Sequence, residues 1–244
     1  MRYKLILEYD GSGFCGFERQ AQGERTVQGE LEGALLALPG GGPPVVAAGR
    51  TDSGVHALAL PVHCDFSVPF PEAKLAGALN AHLPPDLRVL SAQVAPPGFH
   101  ARQSCYWRQY RYRILNRPVP PALERQRVAW VVQELNREAM GQALPVLLGR
   151  HDFAPFATQE IRPTRRTIYR AEMTASGPDI TLEFAGDGFL RSQVRRMAGS
   201  LIAVGLGKIP DLAAVLAGKI PAGATAPAAG LYFVAAGYRP WPES

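Results

Sequence analysis

The chain has 244 residues, 47% hydrophobic and 19% charged, enough to bury a full core without disulfides or a structural metal. No apolar run approaches the roughly 20 residues of a membrane helix, and the opening MRYKLILEYD turns acidic too early for a signal peptide. The net charge of +5 is uneven: residues 1–99 carry 7 basic and 10 acidic groups, residues 100–244 carry 19 and 11, and 22 of the 26 basic residues are arginine.

Residues 3–9 (YKLILEY) read as a strand. After a Gly-rich turn, residues 26–38 read as a helix with Thr26 as N-cap and Leu31, Leu35 and Leu38 on one stripe, broken by the Gly-Pro run at 40–44. Short strands at 45–49 and 60–66 flank a polar loop, followed by a helix at 71–82 and a strand at 87–94. The order is β-α-β-β-α-β. The second half repeats it: a strand at 106–115, a helix at 135–148, strands at 164–174 and 179–185, a helix at 188–205, a short helix at 211–217 and a strand at 230–237. Each half is thus a ferredoxin-like unit. The expected fold is α+β with antiparallel sheets, a first half over 1–100 and a basic second half over 101–244, joined near 96–105.

The arginine-rich second half raises the prior for nucleic acid, because a guanidinium forks onto phosphates and stacks on bases. A GC-rich or thermophilic genome explains the arginine total as well, but not its asymmetry. Arginines gather at 102–127, 162–170 and 191–196. Three scattered cysteines, Cys15, Cys64 and Cys105, fit a reducing cytoplasm better than a disulfide framework.

Two motifs match known chemistry by letter only. Gly11-Ser12-Gly13-Phe14-Cys15-Gly16 spells G-x-G-x-x-G after a strand, but no helix opens at its third glycine, so a backbone turn is the better reading. Asp52-Ser53-Gly54 resembles an aspartic-protease triplet without a second copy. The five histidines have no metal-ligand spacing, so neither a metal nor a nucleotide cofactor is expected. The informative segment is Gly49–Ala57, GRTDSGVHA, a loop between two strands carrying Arg50 and Asp52 two residues apart.

That segment resembles the catalytic signature G-R-T-D-x-G-V-H of the tRNA pseudouridine synthase A family. Further matches run in order. Glu8-Tyr9-Asp10-Gly11-Ser12 with Gly16-Phe17 and Gln20 resembles the family's opening, with Phe17 for the usual Trp, and Val27-Gln28 its first helix. Asn80–Pro84, Phe99–Arg102, Tyr110-Arg111-Tyr112 and His151-Asp152-Phe153 follow. Phe189-Leu190-Arg191 with Val194-Arg195 and Gly199-Ser200, then Gly230-Leu231-Tyr232, complete a resemblance that spans residues 8 to 232.

The resemblance implies the pseudouridine synthase fold and the isomerisation of uridine to pseudouridine at positions 38, 39 and 40 of the tRNA anticodon arm, with no cofactor. It implies a homodimer, and a cytoplasmic enzyme acting on tRNA and not on a membrane. Asp52 matches the nucleophile, a role that suits a carboxylate facing an oxocarbenium-like centre. Arg191 matches the arginine that keeps it ionised, and Tyr110 the active-site tyrosine, whose ring stacks on a flipped uracil. Arg50 is assigned to the extruded base's place or its phosphate, and Arg195, four residues after Arg191 on the same expected helix, to substrate binding. Each site then lies in the cleft between the halves. By strand alternation Tyr106, Arg108, Tyr110 and Tyr112 share one face, a nucleic-acid surface or a core. A catalytically silent RNA-binding module on the same fold is the competing reading, and Asp52, Tyr110 and Arg191 together argue against it.

Overall fold

Alternation over the first residues makes β1 (Arg2–Tyr9), which buries Tyr3, Leu5, Leu7 and Tyr9 on one face. The computed structural model describes residues 1–21, 23–158 and 163–241. Helix α1 (Val27–Leu36) starts where Thr26 accepts the Gly29 amide, as its sequence predicts, and buries Val27, Leu31 and Leu35. Glu32 is buried as well. It ion-pairs with Arg19 at 2.8 Å and accepts the Val45 amide at 3.0 Å, so the charge it brings into the core is satisfied on both sides.

Strand β2 (Val46–Ala47) pairs with β3 (His56–Asp65), and α2 (Glu72–Asn80) leads into β4 (Leu87–Val94). The strand order is β4-β1-β3-β2, antiparallel throughout, which is the ferredoxin-like arrangement. Strand β3 begins four residues before the expected position. Its pairing with β1 continues to Tyr9 and Ala57, through small residues that carry no strand signal of their own. It is buried on both faces because the segment 99–105 covers the side away from the helices. There the Ala101 amide donates to His63 Nδ1 at 3.1 Å, and the Phe99 ring packs on His63 and Tyr238.

The second stretch opens with β5 (Trp107–Asn116), and β6 (Ala129–Val131) pairs with it in parallel. Helix α3 is shorter than the expected 135–148. It covers Arg137–Ala143 and tightens into a 3-10 turn, Leu144–Leu147, at Pro145, which has no amide to donate. Strands β7 (Gly149–Asp152), β8 (Arg165–Ser176) and β9 (Asp179–Gly186) follow, in the order β5-β9-β8-β7 and antiparallel. Tyr110, Tyr112 and Ile114 of β5 lie opposite Phe184, Leu182 and Ile180 of β9, all buried. Helices α4 (Gln193–Gly205) and α5 (Leu212–Leu216) precede β10 (Leu231–Gly237). The fold is α+β with two ferredoxin-like repeats of strand and helix.

Two differences from the sequence reading bear on function. Helix α4 starts at Gln193 and not near 188, because Ser192 is left-handed at φ 59°, a conformation no helix contains. Arg191 therefore lies in the turn before the helix, and its spacing to Arg195 is not a helical one. The chain also groups into two units that are not continuous in sequence: Met1–Tyr106 with Phe233–Pro240, and Trp107–Tyr232 with Trp241. The segment 96–105, read as a join, belongs to the first unit.

His63 sets a pH dependence. Burial, then the Arg2 guanidinium and His100, push its pKa down to about 4. The folded protein thus binds this proton less readily than the unfolded chain. Stability is full above pH 6.5 and declines as pH falls toward 4, by about 3 kcal/mol from this group. His63→Asn retains an acceptor for the Ala101 amide and removes the titration, so denaturant melts between pH 6.5 and 4 are expected to lose most of that slope.

Candidate active site

In the first unit the loop 48–56 is built on the Gly11–Phe17 segment. Gly11 packs so closely under Val55 that a Cβ there would lie 2.0 Å from the Val55 carbonyl oxygen. The Phe14 carbonyl accepts the Gly54 amide at 3.3 Å and the Ser53 hydroxyl at 3.2 Å. Gly16, at φ +94°, lets the chain turn so that the Phe17 amide reaches the Thr51 carbonyl at 3.0 Å. The G-x-G-x-x-G letters thus serve close backbone approach, and no phosphate cradle is formed.

Within that frame the Val55 amide donates to the Asp52 carbonyl at 3.2 Å, closing a turn in which Gly54 takes φ +78°. Asp52 is half-buried. Tyr9 and Thr51 join hydroxyls at 2.8 Å beneath it, and His56 Nδ1 lies 3.0 Å from the Gly11 amide and 3.1 Å from the Asp10 carboxylate. The base is braced by Arg25. Its guanidinium stacks 4.2 Å over the Phe14 ring and bonds Asp86, which raises the Arg25 pKa and holds the Asp86 carboxyl below its ordinary range. Arg50 is exposed and ion-paired to Glu18 at 2.6 Å.

In the second unit Tyr110 is 8% exposed on β5, its ring edge-on to Phe189 at 5.0 Å. Tyr112, on the same face, is core: its hydroxyl donates to the Pro227 carbonyl, and burial pushes its pKa up. The shared aromatic face is thus not a continuous nucleic-acid surface. On the opposite face Gln109 and Arg111 both bond Glu183, and Arg113 pairs with Glu124, so these cations are engaged within the fold.

Arg191 is exposed in a tightly made turn. Gln193, fully buried, accepts the Leu190 amide through its side chain at 2.8 Å, while its own amide donates to the Leu190 carbonyl at 3.1 Å. The Thr158 amide donates to the Arg191 carbonyl at 3.3 Å. Arg195 points its Nε to the Ala226 carbonyl at 2.9 Å, a structural use that the substrate-binding assignment did not foresee. Of the arginine cluster at 162–170, Arg162 lies outside the described residues.

A family model described as tRNA pseudouridine synthase matches residues 143–239. The tRNA pseudouridine synthase A of Thermus thermophilus is 51% identical over 245 residues, covering 97% of this chain and 96% of that one. That of Caulobacter vibrioides is 42% identical over 244 residues, covering 97% and 98%, and that of a Bradyrhizobium species is 43% identical over 97% and 99%. The chain belongs to the tRNA pseudouridine synthase A family.

Several residues that mark tRNA pseudouridine synthase A in sequence are anchors of backbone here. A Cβ on Gly199 would lie 1.8 Å from the Ala224 carbonyl oxygen, and one on Gly230 would lie 2.7 Å from that of Arg113. Ser200 accepts the Gly223 amide at 2.9 Å, and Asp152 accepts the Ala154 amide at 3.0 Å. Sequence reasoning about chemistry missed Tyr9, Thr51 and Gln193, which hold the two turns. Tyr9 ends a core strand and Gln193 opens a helix, so neither position carries a periodic signal that separates support from packing.

The Gly11 contact yields a stability prediction. Gly11→Ala must displace the Val55 carbonyl and is expected to cost about 1–3 kcal/mol. Gly33→Ala, at an exposed helical position with nothing within 4 Å of its Cβ, is expected to gain up to about 1 kcal/mol. Thermal or urea melts of the two variants check both signs.

Proposed function

We propose that this enzyme isomerises uridines 38, 39 and 40 in the anticodon stem-loop of tRNA, with Asp52 as the nucleophile and the target base flipped out of its stack. Membership of the family makes it an enzyme that converts uridine to pseudouridine in tRNA. The observation that carries the finer reading is the Asp52 turn, a half-exposed carboxylate on a backbone held from Phe14, Phe17 and Val55.

In the reaction the C1′–N1 bond breaks, the uracil turns, and C5 bonds to C1′. A proton leaves C5 and N1 gains one, so atoms balance without a co-substrate. A carboxylate suits the electron-poor centre formed when the glycosidic bond opens. Tyr110 offers a ring face for the flipped uracil and a hydroxyl for the proton at C5. Arg191 supplies the counter-charge that keeps the nucleophile ionised. Arg50 contacts the flipped nucleotide after exchanging its Glu18 partner for a phosphate or the vacated stack, and Arg195 lies along the substrate path. The enzyme acts as a cytoplasmic homodimer with tRNA across both subunits, and needs no cofactor or metal.

The test is to incubate the protein with tRNA transcripts, without added cofactor, and map pseudouridine. Conversion at 38, 39 or 40 is expected, and conversion confined to other positions overturns the site assignment. Asp52→Asn keeps side-chain size and loses charge, so single-turnover conversion should vanish while tRNA binding survives. Appreciable turnover by that variant removes Asp52 as nucleophile.

Tyr110 has a separable prediction. Tyr110→Phe preserves the ring against Phe189, so tRNA affinity should hold while turnover falls about 10²–10⁴-fold. Wild-type rates for that variant leave only the stacking role.

A further inference from the structure

Thr51, the residue before Asp52, is gripped from two directions. Its hydroxyl lies 2.8 Å from the Tyr9 hydroxyl, and its carbonyl accepts the Phe17 amide at 3.0 Å. Both side chains are shut from water, Tyr9 at 3% exposure and Thr51 at 7%. The Tyr9 ring meets Phe14 edge-on, with centroids 6.2 Å apart, a contact that a phenylalanine ring makes equally well. Packing therefore accounts for the ring of Tyr9 and leaves its hydroxyl to a different task.

That task follows from what lies next in the chain. The Thr51 carbonyl belongs to the peptide group before the Asp52 Cα, and the Asp52 carbonyl, held by the Val55 amide at 3.2 Å, to the one after it. With both flanking peptide planes fixed, the direction of the Asp52 Cα–Cβ bond is fixed. The hydroxyl pair selects one Thr51 side-chain rotamer and ties the loop to the end of β1, a strand whose inward face, Tyr3, Leu5, Leu7 and Tyr9, is buried. Gly16 completes the grip, because a Cβ there would approach the Thr51 carbonyl oxygen to 3.0 Å.

We infer that Tyr9 is a positioning residue for pseudouridine formation: its hydroxyl, through that of Thr51, aims the Asp52 carboxylate. This role rests on Asp52 being the nucleophile. A reacting group must be held within a few tenths of an ångström of its attack geometry, and a misplacement near 1 Å costs on the order of 100-fold in rate. Tyr9 is only 3% exposed, so it acts on the rate and leaves tRNA affinity alone.

The experiment measures single-turnover rate and tRNA affinity for Tyr9→Phe, Thr51→Val, their double variant, Thr51→Ser and Asp52→Asn, each verified as folded by a cooperative melt. Tyr9→Phe and Thr51→Val are each expected to slow conversion about 10- to 100-fold, with affinity within twofold of wild type. The double variant should be no slower than the worse single one, because both remove the same link. Thr51→Ser, which keeps the hydroxyl, should recover most of what Thr51→Val loses. A Tyr9→Phe rate within twofold of wild type beside an inert Asp52→Asn overturns the positioning role alone. So does a double variant whose loss equals the product of the single losses. An active Asp52→Asn overturns the nucleophile assignment and the positioning role with it. A loss of rate matched by an equal loss of affinity assigns Tyr9 to the general integrity of the unit and also overturns the role.

Discussion

The approach of the Gly11 backbone to the Val55 carbonyl is the contact on which the first unit's loop is built. Only a residue without a Cβ allows it, and once it is made the Phe14 carbonyl, the Phe17 amide and the Gly16 turn fall into hydrogen-bonding distance of residues 51–54. The loop therefore gains its definition from main-chain groups, whose positions are set by covalent geometry, and little of it depends on long flexible side chains. Arg25 supports this arrangement from below. Its stacking on Phe14 and its two-pronged bond to Asp86 tie the segment to the start of β4. A carboxylate carried on such a frame has few ways to relax, which suits the nucleophile role proposed for Asp52.

The second unit solves a similar problem by other means. The turn before α4 exposes Arg191 while burying Leu190 and Gln193, and a left-handed Ser192 reverses the chain between them. The reciprocal bonds between residues 190 and 193 close that reversal, and Gln193 is buried in order to make them. Here a side-chain amide does what glycine does in the first unit. The cost of burying it is offset because the Leu190 amide at the mouth of the helix finds its acceptor.

Much of this was legible in the residues. The strand at 87–94 falls at its expected bounds, and Thr26 caps the helix that follows it, because caps and alternation are local chemistry. Strands β6 and β7 carry no such signal: AWV is too short to show alternation, and GRHD is a polar edge that owes its form to its partner. The start of α4 differs from expectation because an apolar period continues through Leu190 even though Ser192 breaks the helix. The Asp52 loop is identified by its motif, whereas its supports are hidden, since a buried tyrosine hydroxyl and a glycine contact depend on residues some 40 positions away. Glu32 shows the same limit. Its place on a helix predicts a solvated flank, and only the Arg19 and Val45 partners make its burial tolerable.

The split of the first unit between residues 1–106 and 233–240 has a consequence for synthesis. Tyr238 covers the Phe99 ring, lies 4.6 Å from the Lys4 ammonium and donates to the Ala101 carbonyl at 3.0 Å. None of these contacts exists until residue 238 has been translated. The stretch that leaves the ribosome first must wait, partly uncovered, through the making of everything between, with the Tyr238 side of Phe99 facing water or a chaperone. The first unit is thus completed only when residues 233–240 have been made.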